Sequence, residues 1–409
     1  MGTEHTVLIL IGLLLLAIAI QPLARRIHLP FTATLVIAGF AASELLVSSG
    51  FDTGIRAQGF HDLIFFVFLP ILIFESAYNI NARLLCQNLL PILILSIPLM
   101  LLSTLITAVL VYYGIGHASG FPWIAALLTG ALLSATDPVA VVAMFKQMGV
   151  PPRLAILVEG ESLFNDATAI VIFGVFIAIA TGSDGPMTFA DASLHFARVF
   201  FGGMLVGAVT GLLFTGIVRL LQDTITRSLA TVLSAYVSFV LAESFLHVSG
   251  VMSVLVTGLI LGHMIHHVKA DTSAGFIKEL WEFNAFVANA LVFLLMGVVT
   301  TTGMFEERWL AMLIGIAAVL VARAIGIFVF VPLLNRATPI EPISRAYQAV
   351  MMWGGLRGAV TLALALSLPV TLDYWWTIQS IAFGVVIFTL FAQATSTGGL
   401  LRHYGLNKK

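Results

Sequence analysis

Six acidic residues interrupt stretches of this chain that are otherwise apolar enough to lie in a lipid bilayer. Four of them fall close together: Asp137 lies in one hydrophobic run, and Glu159, Glu161 and Asp166 lie in the next. A carboxylate at membrane depth costs about 2.5–3.5 kcal/mol even on insertion scales, so such a residue usually has a function. Two acidic segments joined by one short loop therefore predict a paired intramembrane site for a cation or a proton, which is the chemistry of transport.

Asp137 precedes Pro138 in the middle of its run, and an acidic residue followed by proline is a signal for the start of a helix. The Asp137 side chain could serve as a helix cap and nothing more. Serine or threonine would cap a helix without placing a charge in lipid. We therefore interpret Asp137 as a functional carboxylate and keep the pure cap as the alternative.

The second acidic run places several oxygen atoms on one side of its helix. Residues four apart share a helix face, which pairs Ser162 with Asp166. On a neighbouring face, the same spacing pairs Glu161 with Asn165. Hydroxyl, carboxylate and amide oxygens suit a hard cation such as Na⁺, and unwound backbone carbonyls around Thr136 could add more. A polar network that merely joins helices is the alternative.

Two arginines, Arg323 and Arg357, also lie within predicted spans. An unpaired guanidinium at membrane depth is costly, so each should face a carboxylate or the dipole ends of helices. We expect Glu161 to pair with Arg323 as a structural clamp, and Arg357 to compensate half-helices that cross. Asp137 and Asp166 would then remain free to titrate.

The composition identifies the chain as a polytopic membrane protein. Of its 409 residues, 60% are hydrophobic and 10% are charged, whereas soluble domains carry about 25% charged residues. The net charge of −1 and the lack of a basic block give no indication of a nucleic-acid partner. The single cysteine, Cys86, excludes an intrachain disulfide and a multi-cysteine metal or cluster site. We expect no cofactor, and no metal beyond a transported cation.

Apolar runs bounded by glycine, proline and charge predict an all-α protein with about thirteen transmembrane helices. The predicted spans are 6–22, 30–48, 60–78, 88–114, 121–145, 154–180, 195–220, 228–247, 251–267, 279–300, 307–334, 345–368 and 374–400. No basic segment precedes the first of them, so it is predicted to be a retained span and not a cleaved signal peptide.

Lysine and arginine residues predict the orientation of these spans. With the N-terminus outside, fourteen of the nineteen lie in inner loops or in the C-terminal tail, including Lys269, Lys408 and Lys409. Three, including Arg56, lie in outer loops. Because cytoplasmic loops carry an excess of positive charge, this distribution predicts an odd number of spans and a cytoplasmic C-terminus.

Two predicted spans contain helix breakers in the middle, the fifth at 136–138 and the twelfth at 354–358. The breaks are about 220 residues apart, as are the starts of spans one and eight. This spacing predicts two six-helix repeats, at about 6–180 and 228–400, with a connector helix at 195–220. Because seven spans separate equivalent helices, the repeats would be inverted and the broken helices would cross. The chain would form a single transmembrane domain with no soluble C-terminal domain.

Four segments follow a recognisable pattern: ATDPVAVVA from Ala135, GESLFNDA from Gly160, ARAIG from Ala322 and WGGLRGAV from Trp353. A fifth segment, LPILIFE from Leu69, adds weaker support. In this order the segments resemble the monovalent cation:proton antiporter-1 family, whose bacterial NhaP-like members are related to the eukaryotic sodium/proton exchangers. The resemblance covers nearly the whole chain, and the combination is far more specific than any one motif.

This resemblance implies a homodimer in which a dimerisation domain lies beside a mobile six-helix core. It implies that Asp166 is the principal exchange carboxylate, and that Asp137, Thr136 and Ser162 help to bind the cation. Asn165 occupies the position where electrogenic relatives carry a second aspartate, which implies electroneutral exchange of one cation for one proton. The expected setting is the bacterial inner membrane, with lipid around the protein.

The sequence leaves the identity of the cation open, because Na⁺, Li⁺ and K⁺ use the same ligand types and differ in the cavity that they need. We expect Na⁺, with a K⁺/H⁺ antiporter as the main alternative and a cation channel as a weaker one. The chain has no G-x-S-x-G elbow and no H-E-x-x-H motif, so we do not expect an enzyme.

Three histidines share one end of the ninth predicted span at helical spacing: His263, His266 and His267. We interpret them as solvated side chains, with a metal site or a pH sensor as alternatives. Glu75 and Glu159 lie toward the cytoplasmic ends of their spans. They could line a funnel through which ions reach the site, or serve as ordinary boundary charges. No partner is predicted for Glu243.

Overall fold

The computed structural model describes residues 3–27, 29–48, 63–115, 120–182, 188–266, 273–337 and 341–407. Within these ranges every regular element is a helix. Apolar segments in lipid have no water to bind their backbone N–H and C=O groups, so each segment bonds them internally. Several residues that were predicted to lie in loops, tails or at a span end are outside the described residues: Arg56, His267, Lys269, Lys408 and Lys409.

The described ranges contain nineteen α-helices. They are α1 Thr3–Ile27, α2 Phe31–Ser48, α3 Leu69–Asn79, α4 Ala82–Gln87, α5 Leu89–Ser96, α6 Pro98–Gly114, α7 Trp123–Ser134, α8 Val139–Met148, α9 Pro152–Thr181, α10 Phe189–Leu220, α11 Thr224–Val240, α12 Gly250–His266, α13 Ser273–Val299, α14 Thr302–Ile325, α15 Val331–Ala337, α16 Arg345–Trp353, α17 Ala359–Leu366, α18 Trp375–Phe388 and α19 Ala394–His403. Four π-helical segments adjoin them: Ile64–Phe68 before α3, Leu241–Phe245 after α11, Gly326–Phe330 after α14 and Thr389–Gln393 after α18.

The chain is an all-helical, multi-pass membrane protein. Eight helical stretches within the described ranges are long and apolar enough to cross a bilayer, and four shorter apolar helices accompany them. The predicted span 88–114 differs from a continuous helix, because Ile97 separates α5 from α6. Pro98 follows directly, and a proline cannot donate the backbone hydrogen bond that a helix interior needs. The total of thirteen spans stays a prediction.

Side-chain caps define where two of the long helices begin. The Thr188 hydroxyl accepts from the Asp191 N–H, and the Asp191 carboxylate accepts from the Thr188 N–H, which closes a capping box at α10. Asp223 directly precedes α11 and caps it: its Oδ2 accepts from the Thr226 N–H at 2.9 Å and also from the Thr226 hydroxyl. These hydrogen bonds lower the pKa of the Asp223 carboxyl, because they favour its charged form.

The helices pack in two groups. In the first helix group, α2 packs on α13, while α12 packs on α3, α10 and α11. In the second helix group, α7 packs on α6 and α9, and α14 packs on α6 and α18. Glycine permits the closest of these approaches: a Cβ at Gly39 of α2 would meet the Leu294 carbonyl of α13, and a Cβ at Gly297 would meet the Val36 carbonyl. The interrupted helices α7–α8 and α16–α17 lie at or beside the second group.

Candidate functional site

The two interrupted helices meet at their breaks. The first break separates α7 from α8 at residues 135–138, and the second separates α16 from α17 at residues 354–358. The Asp137 N–H donates to the Leu356 carbonyl at 2.9 Å, so the breaks are joined directly through their backbones. Unwound backbone of this kind is tolerated at membrane depth where it is buried in protein or lines a cavity.

The Asp137 carboxylate binds the N-terminal ends of two helices. Its Oδ1 accepts from the Val139 N–H of α8 at 2.9 Å, and its Oδ2 accepts from the Ala359 N–H of α17 at 3.3 Å. A carboxylate at a helix N-terminus is favoured by the free N–H groups and by the helix dipole. The sequence indicated the first cap. It could not indicate the second, because that contact joins residues 222 positions apart.

Gly358 makes this double cap possible. A Cβ at this position would overlap the Asp137 carboxylate, so only glycine lets the second break approach so closely. In the sequence, Gly358 indicates only a helix break. A glycine one residue before a half-helix is the available signal for such an approach, but the sequence does not say which residue fills the space.

Arg357 binds the opposite ends of the crossing helices. Its Nε donates to the Leu133 carbonyl in the last turn of α7 at 2.5 Å, and its Nη1 donates to the Gly355 carbonyl at 2.6 Å. Its backbone N–H donates to the Thr389 hydroxyl at 3.2 Å. A cation is favoured where helix carbonyls are unpaired, so the crossing has a carboxylate at its N-terminal ends and a guanidinium beside its carbonyls.

Glu161 and Arg323 are brought together as a buried ion pair. The guanidinium contacts both carboxylate oxygens, with Nη2 to Oε2 at 3.0 Å. Nη2 also donates to the Met351 carbonyl at 3.0 Å, so the pair ties α9 and α14 to α16. A bidentate pair of this geometry is among the stronger protein hydrogen bonds and leaves the two side chains neutral as a unit. Their role as a clamp stays a prediction.

Hydroxyl and amide groups of α9 and the first break form one network. The Thr136 and Ser162 hydroxyls are 2.9 Å apart. The Asn165 Nδ2 donates to the Ser134 carbonyl at 3.0 Å and to the Thr136 hydroxyl at 3.3 Å. Among the described residues the Asn165 Oδ1 is buried and has no hydrogen-bond partner. The network therefore uses the amide nitrogen and leaves the amide oxygen available.

Asp166 lies one residue further along α9, beside this network. The Thr136 N–H donates to its carboxylate, and Asp137 and Arg357 are near enough to interact with it electrostatically. Its Oδ1 is buried without a hydrogen-bond partner within the described part of the chain. Buried polar atoms are nearly always bonded, so two adjacent free acceptors, on Asn165 and Asp166, need a reason. An arrangement of a carboxylate, an amide oxygen and hydroxyls can hold a monovalent cation or a proton.

The remaining predicted acids lie away from the crossing. Glu75 accepts from the Asn79 amide at 2.8 Å, and Glu75, Glu159 and Lys146 are near enough to one another to interact electrostatically. Glu75 and Glu159 are both half-buried. Glu243 has a partner that the sequence did not indicate: the Gly250 N–H at the start of α12 donates to its Oε2 at 2.8 Å.

The predicted histidine group is only partly described. His263 is exposed, whereas the side chain of His266 and the whole of His267 lie outside the described residues. Among the residues whose placement is described, no group of three or more His, Cys, Asp or Glu side chains could hold a metal ion. Cys86 is exposed and unpaired.

The sequence of this chain matches a known family and known relatives. The sodium/hydrogen exchanger transmembrane family matches residues 11–403. The Na(+)/H(+) antiporter ApNhaP of Aphanothece halophytica is 35% identical over 381 residues, which cover 93% of this chain and 70% of the relative. The Na(+)/H(+) antiporter NhaH of Halobacillus dabanensis is 30% identical over 410 residues, which cover 98% of this chain and 99% of the relative.

The fold also matches a solved structure. The sodium proton antiporter MjNhaP1 of Methanocaldococcus jannaschii superposes with a TM-score of 0.82 over 98% of both chains, at 19% sequence identity. At this identity the likeness concerns the fold alone. It agrees with the family match in sequence.

Proposed function

This chain belongs to the sodium/hydrogen exchanger family of secondary transporters, and we propose that it exchanges one Na⁺ for one H⁺ by alternating access around Asp166. The observation that carries the proposal is the free Oδ1 of Asp166, a buried acceptor beside the crossing of two broken helices. Glu161 is neutralised by Arg323, and both oxygens of Asp137 accept backbone N–H groups. Among these three acids, Asp166 therefore retains a carboxylate oxygen without a hydrogen-bond partner.

Exchange follows from two occupants that exclude each other. The ionised Asp166 carboxylate attracts a partly dehydrated cation, whereas the protonated acid has lost the charge that the cation needs. If the site changes sides only when occupied, a cation gradient must drive protons in the opposite direction. The two helix groups suggest the moving parts, with one group shifting as a rigid body against the other.

The other site residues have supporting roles in this proposal. Thr136 and Ser162 supply hydroxyl oxygens, and Asn165 supplies its free amide oxygen. The negative charge of Asp137 attracts the cation while its two oxygens cap α8 and α17. Arg357 holds the carbonyl side of the crossing. Together these groups would keep the break open at a fixed shape, so that the cation exchanges hydration water for protein oxygens with little rearrangement.

Electroneutral exchange rests on the count of carboxylates that can change protonation. Asn165 stands next to Asp166 and carries no charge, and its Nδ2 is held by the Ser134 carbonyl. Both oxygens of Asp137 already accept N–H groups at helix starts, so we assign the exchanged proton to Asp166 alone. One titrating carboxylate then carries one proton or one monovalent cation per cycle.

We extend the proposal to the architecture. The chain would form thirteen spans in two inverted six-helix repeats, a single transmembrane domain and a homodimer in the bacterial inner membrane, with the N-terminus outside. The interruptions at 135–138 and 354–358 support the repeats, because each divides a pair of short helices and the two contact each other. Glu75 and Glu159 would line a cytoplasmic funnel, which their half-buried positions near Lys146 support.

The test is exchange in reconstituted vesicles that contain an internal pH dye. Na⁺ is added outside while the membrane potential is clamped with a K⁺ ionophore, and the experiment is repeated with Li⁺ and, under a different clamp, with K⁺. We expect Na⁺ to drive proton release at a rate that does not depend on the clamped voltage. Asp166→Asn removes the charge at nearly constant volume and should abolish this signal.

The other outcomes would change the identity of the cation, the stoichiometry or the mode of transport. A response to K⁺ in place of Na⁺ would make the protein a K⁺/H⁺ antiporter. A rate that follows the voltage would contradict one-for-one exchange. Cation flux that does not saturate and moves no protons would contradict antiport and indicate a channel.

A further inference from the structure

A small cavity lies on the side of the crossing formed by α2 and α8. It has a volume of about 10 Å³, which is roughly the space of one water molecule. Its lining joins α2, the first break, α8, α13, the second break and the π-helical segment Thr389–Gln393: Thr32, Asp137, Val139, Ala140, Phe293, Leu356, Arg357 and Leu390. None of the groups in the predicted cation site except Asp137 lines it.

Thr32 lines this cavity and has a buried hydroxyl without a partner. The side chain is 9% exposed, and its Oγ1 finds no hydrogen-bond partner among the described residues. A threonine in a helix ordinarily bonds its hydroxyl to a carbonyl one turn earlier. Thr34, two residues on, does so: its Oγ1 donates to the Phe31 carbonyl at 2.7 Å. Thr32 is the second residue of α2, so no helical turn precedes it to supply such a carbonyl, and its buried hydroxyl stays without a partner among the described residues.

The walls of the cavity give it a closed and an open side. Phe293, Leu356 and Leu390 are at most 2% exposed and close it with apolar surface. Val139, at 45% exposure, borders the other side. Asp137 is half-buried and lines the cavity beside Val139. The cavity therefore lies between an exposed residue of α8 and Asp137.

The charges around the crossing favour a cation there without trapping it. Asp137 and Asp166 carry two negative charges when ionised, Arg357 carries one positive charge, and Glu161 with Arg323 is neutral as a pair. The net charge is therefore one negative. Arg357 lines the cavity, and its positive charge weakens the binding of a cation there. Asp166 does not line the cavity.

We propose that the Thr32 hydroxyl is a ligand for the cation on its way to Asp166, replacing one hydration water while the ion passes Asp137. The cavity is too small for a hydrated ion and large enough for a dehydrated one, so a protein oxygen must take over where water is lost. The inference rests on the proposed cation exchange. It adds an ion ligand on α2, outside both broken helices and outside α9.

The test compares Thr32→Val, which removes the hydroxyl at similar volume, with Thr32→Ser, which retains it. Thr34→Val is the matched control, because it removes a hydroxyl from the same helix that is already bonded. Exchange is measured in vesicles as a function of Na⁺ concentration. In Thr32→Val we expect the KM for Na⁺ to rise about 3- to 10-fold, which is the effect of one lost polar contact, with kcat little changed. Thr32→Ser and Thr34→Val should match the wild type.

A second readout measures binding without transport. Na⁺ that binds the folded protein raises its Tm, so the Na⁺ concentration that gives half of this rise reports affinity. Thr32→Val should need about 3- to 10-fold more Na⁺. An unchanged Na⁺ dependence in both assays, or an equal change in Thr34→Val, would overturn the proposal. So would a lower Tm of the ion-free protein with no change in Na⁺ dependence, because that pattern indicates a structural role.

The two readouts separate this inference from the proposed function. If the wild type binds Na⁺ but moves no protons, the proposed exchange fails, and Thr32 is still judged by the Tm assay. If the wild type exchanges Na⁺ for protons and Thr32→Val behaves identically, the exchange stands and the role of Thr32 fails.

Discussion

Two regions of this protein place polar side chains inside apolar helices, and they differ in whether every polar atom is hydrogen-bonded. In the first helix group, the Ser238 hydroxyl lies 2.6 Å from the Ser253 hydroxyl and 2.9 Å from the Thr257 hydroxyl. Thr257 in turn lies 2.9 Å from Thr210 and donates to the Gly207 carbonyl. We call these four residues, Thr210, Ser238, Ser253 and Thr257, the hydroxyl cluster. Every hydroxyl in it is bonded to another helix.

At the crossing, polar groups are equally buried but not all are bonded. Asn165 and Asp166 each retain a free oxygen among the described residues, although bonded groups surround them. Hydroxyls that bond one another across helices join those helices. A free buried acceptor weakens the fold and is retained where a ligand satisfies it. The contrast separates polar groups that hold helices together from polar groups that we propose bind an ion, which residue type alone does not do.

The largest effect should come from breaking the buried ion pair. Glu161→Ala leaves the Arg323 guanidinium buried without its carboxylate, which costs about 3–5 kcal/mol of stability. We expect little folded protein, measured as the monodisperse fraction after extraction in detergent. The double variant Glu161→Leu/Arg323→Met removes both charges and should recover folded protein. If the single variant folds normally, the pair is not a clamp.

The next effect concerns the two roles of Asp137. Asp137→Asn keeps one acceptor oxygen, so it can still cap α8 or α17, but it removes the charge near the cation. Exchange should fall by about 100-fold, which corresponds to roughly 2.7 kcal/mol and to the contribution of one charged contact. The Tm should fall only slightly. A variant that loses stability yet keeps exchange would make Asp137 a pure cap.

A smaller effect should follow from filling the space at Gly358. Gly358→Ala places a methyl group against the Asp137 carboxylate and should cost about 1–3 kcal/mol by overpacking. Gly174→Ala in α9 is the control, because a Cβ there meets nothing within 4 Å. That control should be neutral or slightly stabilising, since alanine favours a helix over glycine by about 1 kcal/mol. Equal Tm values for the two variants would contradict the close approach at the crossing.

The smallest effect should come from the hydroxyl cluster. Ser238→Ala removes one of several hydrogen bonds between helices, and such bonds average about 0.6 kcal/mol in membrane proteins. We expect a small fall in Tm and no change in the KM for Na⁺. Ser162→Ala at the crossing should do the reverse, with a higher KM and a nearly unchanged Tm. If both variants alter KM alike, the distinction between the two regions fails.

Much of this architecture could be predicted from the sequence. Helix interruptions lie at Asp137 and at Gly358, where proline or glycine interrupts an apolar run. The motifs around these interruptions indicate the family. The acids at membrane depth were conspicuous because their cost in lipid leaves few reasons to retain them. The exact number of spans and the roles of the site residues stay predictions.

Other features could not be predicted, because they depend on contacts between distant parts of the chain. The cap of α17 by Asp137, the contact of Arg357 with the Leu133 carbonyl and the cavity beside Thr32 each join separate helices. Thr32 shows the difficulty most clearly, because the sequence does not indicate that it lines a cavity together with Asp137. That placement depends on the packing of α2 against the crossing.

The sequence by itself determined that this protein is helical, lies in a membrane and carries acids where acids are costly. Those properties follow from composition, from local helix signals and from the dielectric of lipid, and none of them needs a partner in space. The tertiary structure decided which oxygens remain free, because hydrogen bonds are shared out among whichever groups the fold brings together. At Asp137, Asn165 and Asp166, adjacent in space, that distribution leaves one acid bonded twice and its neighbours with an oxygen each for a ligand.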